Sequence, residues 1–324
     1  MLVPKACAPK GSDLCGSPRR LDRGTKSIYH ISSCANFSGS LGHAVGPTHL
    51  TSDPTLDCEG AMNIDGQHVV VTGASQGIGV HIADEFSRQG AKVTIVARNA
   101  DRLRRVASDI GGAWLQLDLC DDDALEGAIT TVEQARGAVD VLVNNAGLAV
   151  VRDAGGYQPG ETKALMTVNA IAPMELTRQV LPGMRARGHG HIVNISSLAG
   201  VSAVPHLAIY GAAKAALHHY TAVVQRELAD DRVPVGMTLV TLGEVAGTQM
   251  MEDARQSAII AAVSARLART RALPAIAPLA VARAVVDAVK RDKAYVSVPR
   301  RIGPVIGLRN LPSRLQDVAL RGLN

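Results

Sequence analysis

Between Val69 and Gly79 the chain reads VVVTGASQGIG, a run of β-branched residues and a glycine-rich turn, followed by HIADEFSRQG with helical spacing. Strand, turn and helix therefore share one short segment. The glycines stand at Gly73, Gly77 and Gly79, a G-x-x-x-G-x-G spacing and not G-x-G-x-x-G. A buried strand that ends in such a turn leaves no side chain where a pyrophosphate approaches, and the next helix presents free N–H groups and its positive dipole end to the phosphates. Dinucleotide binding is the expectation, with Gly73, Ser75, Gln76, Gly77, Ile78 and Gly79 on the cofactor side. A glycine turn can also do no more than join a strand to a helix, so support must come from downstream.

From Gln67 onward strand-like and helix-like segments alternate. HVVVT, KVTIVA, AWLQL, VDVLV, HIVNIS, VPVGMTLV and AYVSV read as strands. Helical spacing falls between them, over 101–110, 121–136, 162–187 and 207–229 among others. This alternation predicts an α/β fold: a Rossmann-like, doubly wound parallel sheet of about seven strands with helices on both faces. Aromatic residues make up only 2% of the chain against 47% hydrophobic residues, so the core must be built from Val, Ala, Leu and Ile, as buried parallel strands are. The acidic run Asp121–Asp123 reads as capping at a helix start.

Residues 1–61 are rich in Gly, Ser, Pro and Thr without periodicity and are read as a disordered extension, with a targeting peptide carrying Arg19, Arg20 and Arg23 as the alternative. Met62 opens NIDGQHVVVTG, a lead-in that predicts a start of translation there, a domain over 62–299 and a tail over 300–324. Cys7, Cys15, Cys34 and Cys58 precede the first strand and only Cys120 follows it, which argues against a disulfide framework in the body and for a reducing, cytoplasmic compartment. No C-x-x-C or H-x-x-x-H pair occurs, so no metal site is expected. The net charge of +5 is scattered among acidic residues, with no basic and aromatic stripe for nucleic acid. No apolar run is long enough for a membrane span.

At the end of the second strand, IVARN puts Ala97 where NAD-binding folds carry an acidic residue for the ribose 2′-hydroxyl, and Arg98 follows. A small neutral residue and a guanidinium remove repulsion against a 2′-phosphate and supply a bidentate partner. NADP(H) is therefore expected in preference to NAD(H).

Tyr210 and Lys214 stand four apart in YGAAK, on one face of a predicted helix. An ammonium beside a phenol stabilises phenolate and predicts a lowered tyrosine pKa, suited to a general acid or base. Ser197 lies thirteen residues earlier, just past HIVNIS, where a parallel strand delivers its carboxyl end to a ligand crevice. Ser196 beside it points the other way on an extended strand, so one of the two faces the site. NNAG at Asn144–Gly147 forms a turn poor in side chains after the fourth strand, and Asn169 sits inside a predicted helix where its amide needs a partner.

With TGASQGIG, LDL at Asp118, NNAG, VNA at Asn169, ISS at Ser197 and YGAAK in this order, the stretch from about Met62 to Pro299 resembles the short-chain dehydrogenase/reductase family. The resemblance implies an oxidoreductase moving hydride between NADP(H) and a carbonyl or secondary alcohol. Tyr210 would then be the general acid/base, Lys214 would bind the nicotinamide ribose and tune Tyr210, and Ser197 would position the substrate oxygen. Asn169 would anchor a relay water and Asp118 would meet the adenine. Asn145, Ala146 and Gly147 would line the cofactor, and Val245 would offer backbone groups to the carboxamide. The family's Pro-Gly-x-Val-x-Thr is replaced by TLGEVAGTQM, with Leu242 for proline and Thr248 one residue late. That departure predicts a less rigid loop and weakens the case for phosphate contacts from Thr248.

By the same resemblance, residues 248–270 form a substrate lid, whose Ala, Ile and Val content points to an apolar substrate, and the helices over 162–187 and 207–229 pair subunits in a homodimer or homotetramer. His206 and His218 read as ordinary exposed helix residues. The tail after AYVSVP mixes arginines with Ile, Val and Leu, which is compatible with surface contact to a membrane. The competing class is a fold that binds NADPH as a sensor or scaffold without turnover. Against it stands the presence of Asn169, Ser197, Tyr210 and Lys214 together.

Overall fold

The computed structural model describes residues 62–269 and 274–300. The expected disorder of 1–61, the tail beyond residue 300 and the last residue of the expected lid lie outside the described residues. β1 (His68–Thr72) leads through the glycine turn into α1 (Ile78–Arg88), and β2 (Lys92–Ala97) leads into α2 (Ala100–Ile110). β3 (Ala113–Gln116) is followed by α3 (Asp122–Glu126) and α4 (Ala128–Arg136), split at Gly127 where the spacing predicts one helix. Asp121 caps α3, its carboxylate accepting the Ala124 N–H at 3.1 Å. After β4 (Val141–Asn144) come α5 (Glu161–Met166), a π-turn over Thr167–Ile171 and α6 (Ala172–Arg187). β5 (His191–Ser197) precedes α7 (Ala208–Asp230), and β6 (Gly236–Leu242) precedes α8 (Gln249–Arg255), α9 (Ala258–Arg269) and α10 (Pro278–Lys290). β7 (Tyr295–Val298) closes the sheet.

All seven strands are parallel, in the order β3-β2-β1-β4-β5-β6-β7. The order reverses between β1 and β4, and a crevice opens at their carboxyl ends. Successive residues of a strand point to opposite faces, so β1 feeds two cores. Val69 and Val71 pack with Ile82 and Phe86 of α1 and Val281 and Val285 of α10. Val70 joins Ile129 of α4, Leu176 of α6 and Val224 of α7 on the other side. The strands are Val- and Ile-rich because both faces are covered.

The expected single helix over 162–187 is interrupted at its centre. The N–H of Ala172 reaches the carbonyl of Thr167, a π-type bond, and Pro173 has no N–H to return to the preceding turn. Asn169, fully buried, sits inside this π-turn and donates to the Leu165 carbonyl at 2.9 Å. Two histidine expectations are also corrected. His218 is buried between α7 and β6, with Nε2 3.5 Å from Thr241 Oγ1. His206 precedes α7 in a turn, at φ 68°, and its carbonyl accepts the Arg152 N–H at 2.9 Å.

At the amino end of β5, on the side of the sheet away from the crevice, His191 is buried, with Nε2 2.7 Å from Thr238 Oγ1. Thr238 donates its own proton to the Lys293 carbonyl, so it accepts from His191, and burial holds the imidazole neutral with a pKa lowered to about 4. Between pH 4 and 6.5 the unfolded chain therefore binds more protons at this site than the folded one. Stability present above pH 6.5 is expected to fall by about 1.4 kcal/mol per pH unit as the pH drops through that window. Thermal melts of His191→Gln should show a shallower acid slope than the parent protein.

Candidate active site

Gly73 and Gly79 let the backbone of β1, α1 and the loop after β4 meet directly. A Cβ on Gly79 would lie 2.4 Å from the Gly73 carbonyl and 2.6 Å from Asn145 Nδ2, and one on Gly73, at φ 67°, would lie 2.7 Å from Ala146 Cα. Thr72 seals the junction, its Oγ1 accepting the N–H groups of Asn145 at 3.0 Å and Ala146 at 3.1 Å. Asn145 in turn donates to the Thr72 carbonyl at 2.9 Å. Thr72 was not among the expected site residues. Its position at the strand end, directly before Gly73, was the available signal.

Above this floor lies a cavity of about 650 Å³, a size typical of cofactor sites. Its lining contains Gly73, Ser75, Gln76, Gly77 and Ile78 from the turn, Arg98 and Asp118 from the second and third strand ends, and Asn145, Ala146 and Gly147. Gly79 lies beneath the floor, and Asn169, Ser197, Tyr210, Lys214 and Val245 stand outside the lining. The residues fit a dinucleotide. A Cβ on Gly77 would have only Thr248 Cγ2 within 4 Å, at 3.9 Å, so the approach to the α1 N-terminus is open, and the first turn of α1 carries no acidic residue. At the other end, exposed Arg98 is joined by Arg102, one helical turn on, whose guanidinium touches Gln76. Arg102 was missed from the sequence, although Asn99 caps α2 by accepting the Arg102 N–H at 2.9 Å and so fixes that turn. Asp118 accepts the Cys120 N–H at 3.0 Å, and burial with the Asp118 charge pushes the Cys120 thiol pKa up.

The polar constellation stands where β5 meets α7. Ser197 stands beside Tyr210, where its hydroxyl favours the phenolate, and its Oγ accepts the Ala199 N–H at 3.2 Å, while Ser196 donates to the Lys214 carbonyl at 3.5 Å. One serine of the pair thus meets the tyrosine hydroxyl, in line with strand alternation. Lys214 is buried, its Nζ donating to the Ile195 carbonyl at 2.9 Å and lying 5.9 Å from the Tyr210 ring centre. The expected lowering of the Tyr210 pKa by the ammonium is corrected. Burial raises the phenol and outweighs the Ser197 hydroxyl, and burial also lowers Lys214 to about 8. Desolvation disfavours the charged form of both groups.

Asn169 is committed to the protein, its amide donating to Leu148 O at 2.7 Å and its Oδ1 accepting the Leu148 N–H at 3.2 Å. It clamps the loop after β4. The opposite wall also departs from expectation. Leu242 is buried in the core, and the loop after it is held by Gly243 N–H to Val298 O, Ala246 N–H to Ile276 O and Ile276 N–H to Glu244 O, each 2.9 Å, with an Arg255–Glu244 ion pair. These bonds tether the loop to β7 and to the segment at Ile276. Thr248 lines the cavity, its Cγ2 3.9 Å from where a Cβ on Gly77 would stand. Val245 is buried and bridges to Ile276.

Residues 67–258 match the family model of short chain dehydrogenases. The chain belongs to the short-chain dehydrogenase family. The ketoacyl reductase HetN of Nostoc sp. is 34% identical over 241 residues, which cover 72% of this chain and 79% of that protein. A fatty acyl-CoA reductase of Mycobacterium tuberculosis is 34% identical over 191 residues, 56% of this chain and 64% of its relative. Among solved structures, a metagenomic short-chain oxidoreductase in complex with NADP is 35% identical, with a TM-score of 0.58 over 72% of this chain and 96% of that one. A short-chain dehydrogenase/reductase from Burkholderia phymatum in complex with NAD, 22% identical with a TM-score of 0.68 over 80% of this chain and 96% of that one, shares the fold. This short-chain dehydrogenase is therefore a member of an oxidoreductase family, and its described helices include none long and apolar enough to cross a membrane.

The folded Lys214 pKa of about 8 lies below the ordinary 10.5, so below pH 8 the fold carries the full cost of a buried ammonium, about 3 kcal/mol. Stability is expected to rise as the pH goes from 8 to 10.5. In Lys214→Met that rise should be absent and the melting temperature at pH 7 higher, as pH-dependent calorimetry can test.

Proposed function

We propose that this protein is an NADP(H)-dependent oxidoreductase acting on a carbonyl or secondary alcohol of an apolar substrate. The observation that carries the reading is the Ser197 side chain beside the Tyr210 phenol, with Lys214 one turn away on the same helix. Bound NADPH would supply the hydride. Tyr210 would donate its proton to the substrate oxygen, and Ser197 would hold that oxygen by a hydrogen bond. Lys214, still mostly protonated at neutral pH, would stabilise the tyrosinate left behind and meet the ribose hydroxyls. Asn169 would serve by holding the Leu148 loop, with any relay water bound beside it.

The preference for NADP over NAD rests on Arg98 and Arg102, two guanidiniums lining one end of the cavity. Asp118 would face the adenine, Gly73 to Gly79 and Asn145 to Gly147 the rest of the dinucleotide, and Val245 the carboxamide. An apolar substrate is favoured by Leu148 and Met250 on the cavity wall. The relatives named as ketoacyl and fatty acyl-CoA reductases support the same class. The exposed small residues Ala208, Ala212 and Ala215 on α7, with Ile171 half exposed, favour a homodimer or homotetramer through that face. The single thiol of the body, Cys120, favours a cytoplasmic setting.

Tyr210→Phe is expected to lower reduction of apolar ketones and aldehydes by about 10²- to 10⁴-fold, with NADPH binding retained. Turnover unaffected by that change would overturn the mechanism, and tight NADPH binding without turnover of any carbonyl would favour a sensor or scaffold. Arg98→Ala/Arg102→Ala should raise the KM for NADPH by about tenfold or more, in keeping with charged hydrogen bonds worth about 1.5–3 kcal/mol, and leave the KM for NADH nearly unchanged. A mass measured in solution tests the subunit contact.

A further inference from the structure

Beneath α7 three buried side chains are polar where their surroundings are apolar. Asn144 on β4 and Asn194 on β5 are register partners, Thr221 faces them from α7, and their layer otherwise contains Leu142, Ile192 and Val224. Asn144 donates through Nδ2 to Asn194 Oδ1 at 2.8 Å, Asn194 donates through Nδ2 to Thr221 Oγ1 at 2.9 Å, and Thr221 donates to the Leu217 carbonyl at 2.7 Å. Every bond runs in one direction, so each polarises the next. The trio is not the most stable way to fill the layer. Asn144 Oδ1 has no partner, and apolar side chains of similar volume would avoid that cost. What a polar chain adds is a single geometry, because a hydrogen bond tolerates less displacement than an apolar contact.

That geometry is located at Lys214. Ile195, next to Asn194, accepts from Lys214 Nζ at 2.9 Å, and Leu217, where the chain of bonds ends, lies one turn beyond Lys214. The same short piece of β5 therefore fixes the helix through its Asn194 side chain and holds the ammonium through its Ile195 carbonyl. We infer that Asn194 and Thr221 are positioning residues whose hydrogen bond sets the roll of α7 on β5, and with it the place of Lys214 and Tyr210 against Ser197. The inference rests on the roles proposed above for those three residues.

Thr221→Val removes the hydroxyl at nearly constant shape. It is expected to lower kcat by about tenfold or more, as small misplacements of catalytic groups do, to displace the pH profile of kcat, and to leave the KM for NADPH within about twofold. Thr221→Ser keeps the hydroxyl and should recover most of kcat. If Thr221→Val does not fold, Asn144→Leu/Asn194→Leu/Thr221→Val, which removes the whole chain of bonds and leaves none of its members buried and unpaired, should melt close to the parent and still lose kcat. A folded Thr221→Val protein with parental kcat and pH profile overturns the inference, as does a Thr221→Ser protein no better than Thr221→Val. If the parent itself turns over no carbonyl, the functional reading fails, and the positioning role is read from the rise in stability between pH 8 and 10.5. That window should move in Thr221→Val, and an unmoved window overturns the role.

Discussion

The approach of three backbone segments at Gly73, Gly79 and Ala146 is the constraint on which the rest of the site depends. With a Cβ on Gly79 only 2.4 Å from the Gly73 carbonyl, no other residue lets α1 start so close to the end of β1. The contact is what brings the N-terminus of α1 to the topological switch between β1 and β4, where the sheet leaves its crevice. Thr72 then locks the floor with two accepted N–H groups. The walls are referred to this floor by further bonds. Asn169 clamps Leu148, and Met250 of α8 comes within 3.4 Å of where a Cβ on Gly147 would stand.

The fold was legible because parallel strands covered on both faces leave a simple trace, short runs of Val and Ile separated by helical spacing. Seven such runs became seven strands, and the motif residues named from the glycine turn, the strand ends and YGAAK fell at the carboxyl edge of one sheet. Sites that depend on exact backbone paths were less visible. The π-turn at Asn169 leaves helical spacing nearly intact while shifting the register by one residue, so the pattern read as one helix. Arg102 looked like one charge among several in DRLRR, and only the capped turn after Asn99 directs it to the cavity. The tethering of the loop after β6 was hidden for a related reason. Proline is a local restraint visible in sequence, whereas the bridge from Val245 to Ile276 joins residues far apart in the chain.

Electrostatics at the β5–α7 junction corrects the simplest view of a tyrosine beside a lysine. Proximity along a helix was expected to lower the phenol pKa, but both groups are desolvated together, and desolvation acts on each in the direction of its neutral form. For Tyr210 this keeps the proton in place at neutral pH, the state from which a carbonyl oxygen can be protonated. For Lys214 it produces a cation that yields its proton near pH 8, which a guanidinium in the same place would not. A lysine held this way is costly to the fold, and among the described residues its ammonium donates to one carbonyl of β5. The ammonium retains two further N–H donors. Burial with no carboxylate partner among the described residues thus leaves Lys214 able to respond to whatever oxygen atoms are brought beside it, and a strand-bound carbonyl keeps it aimed while it does so.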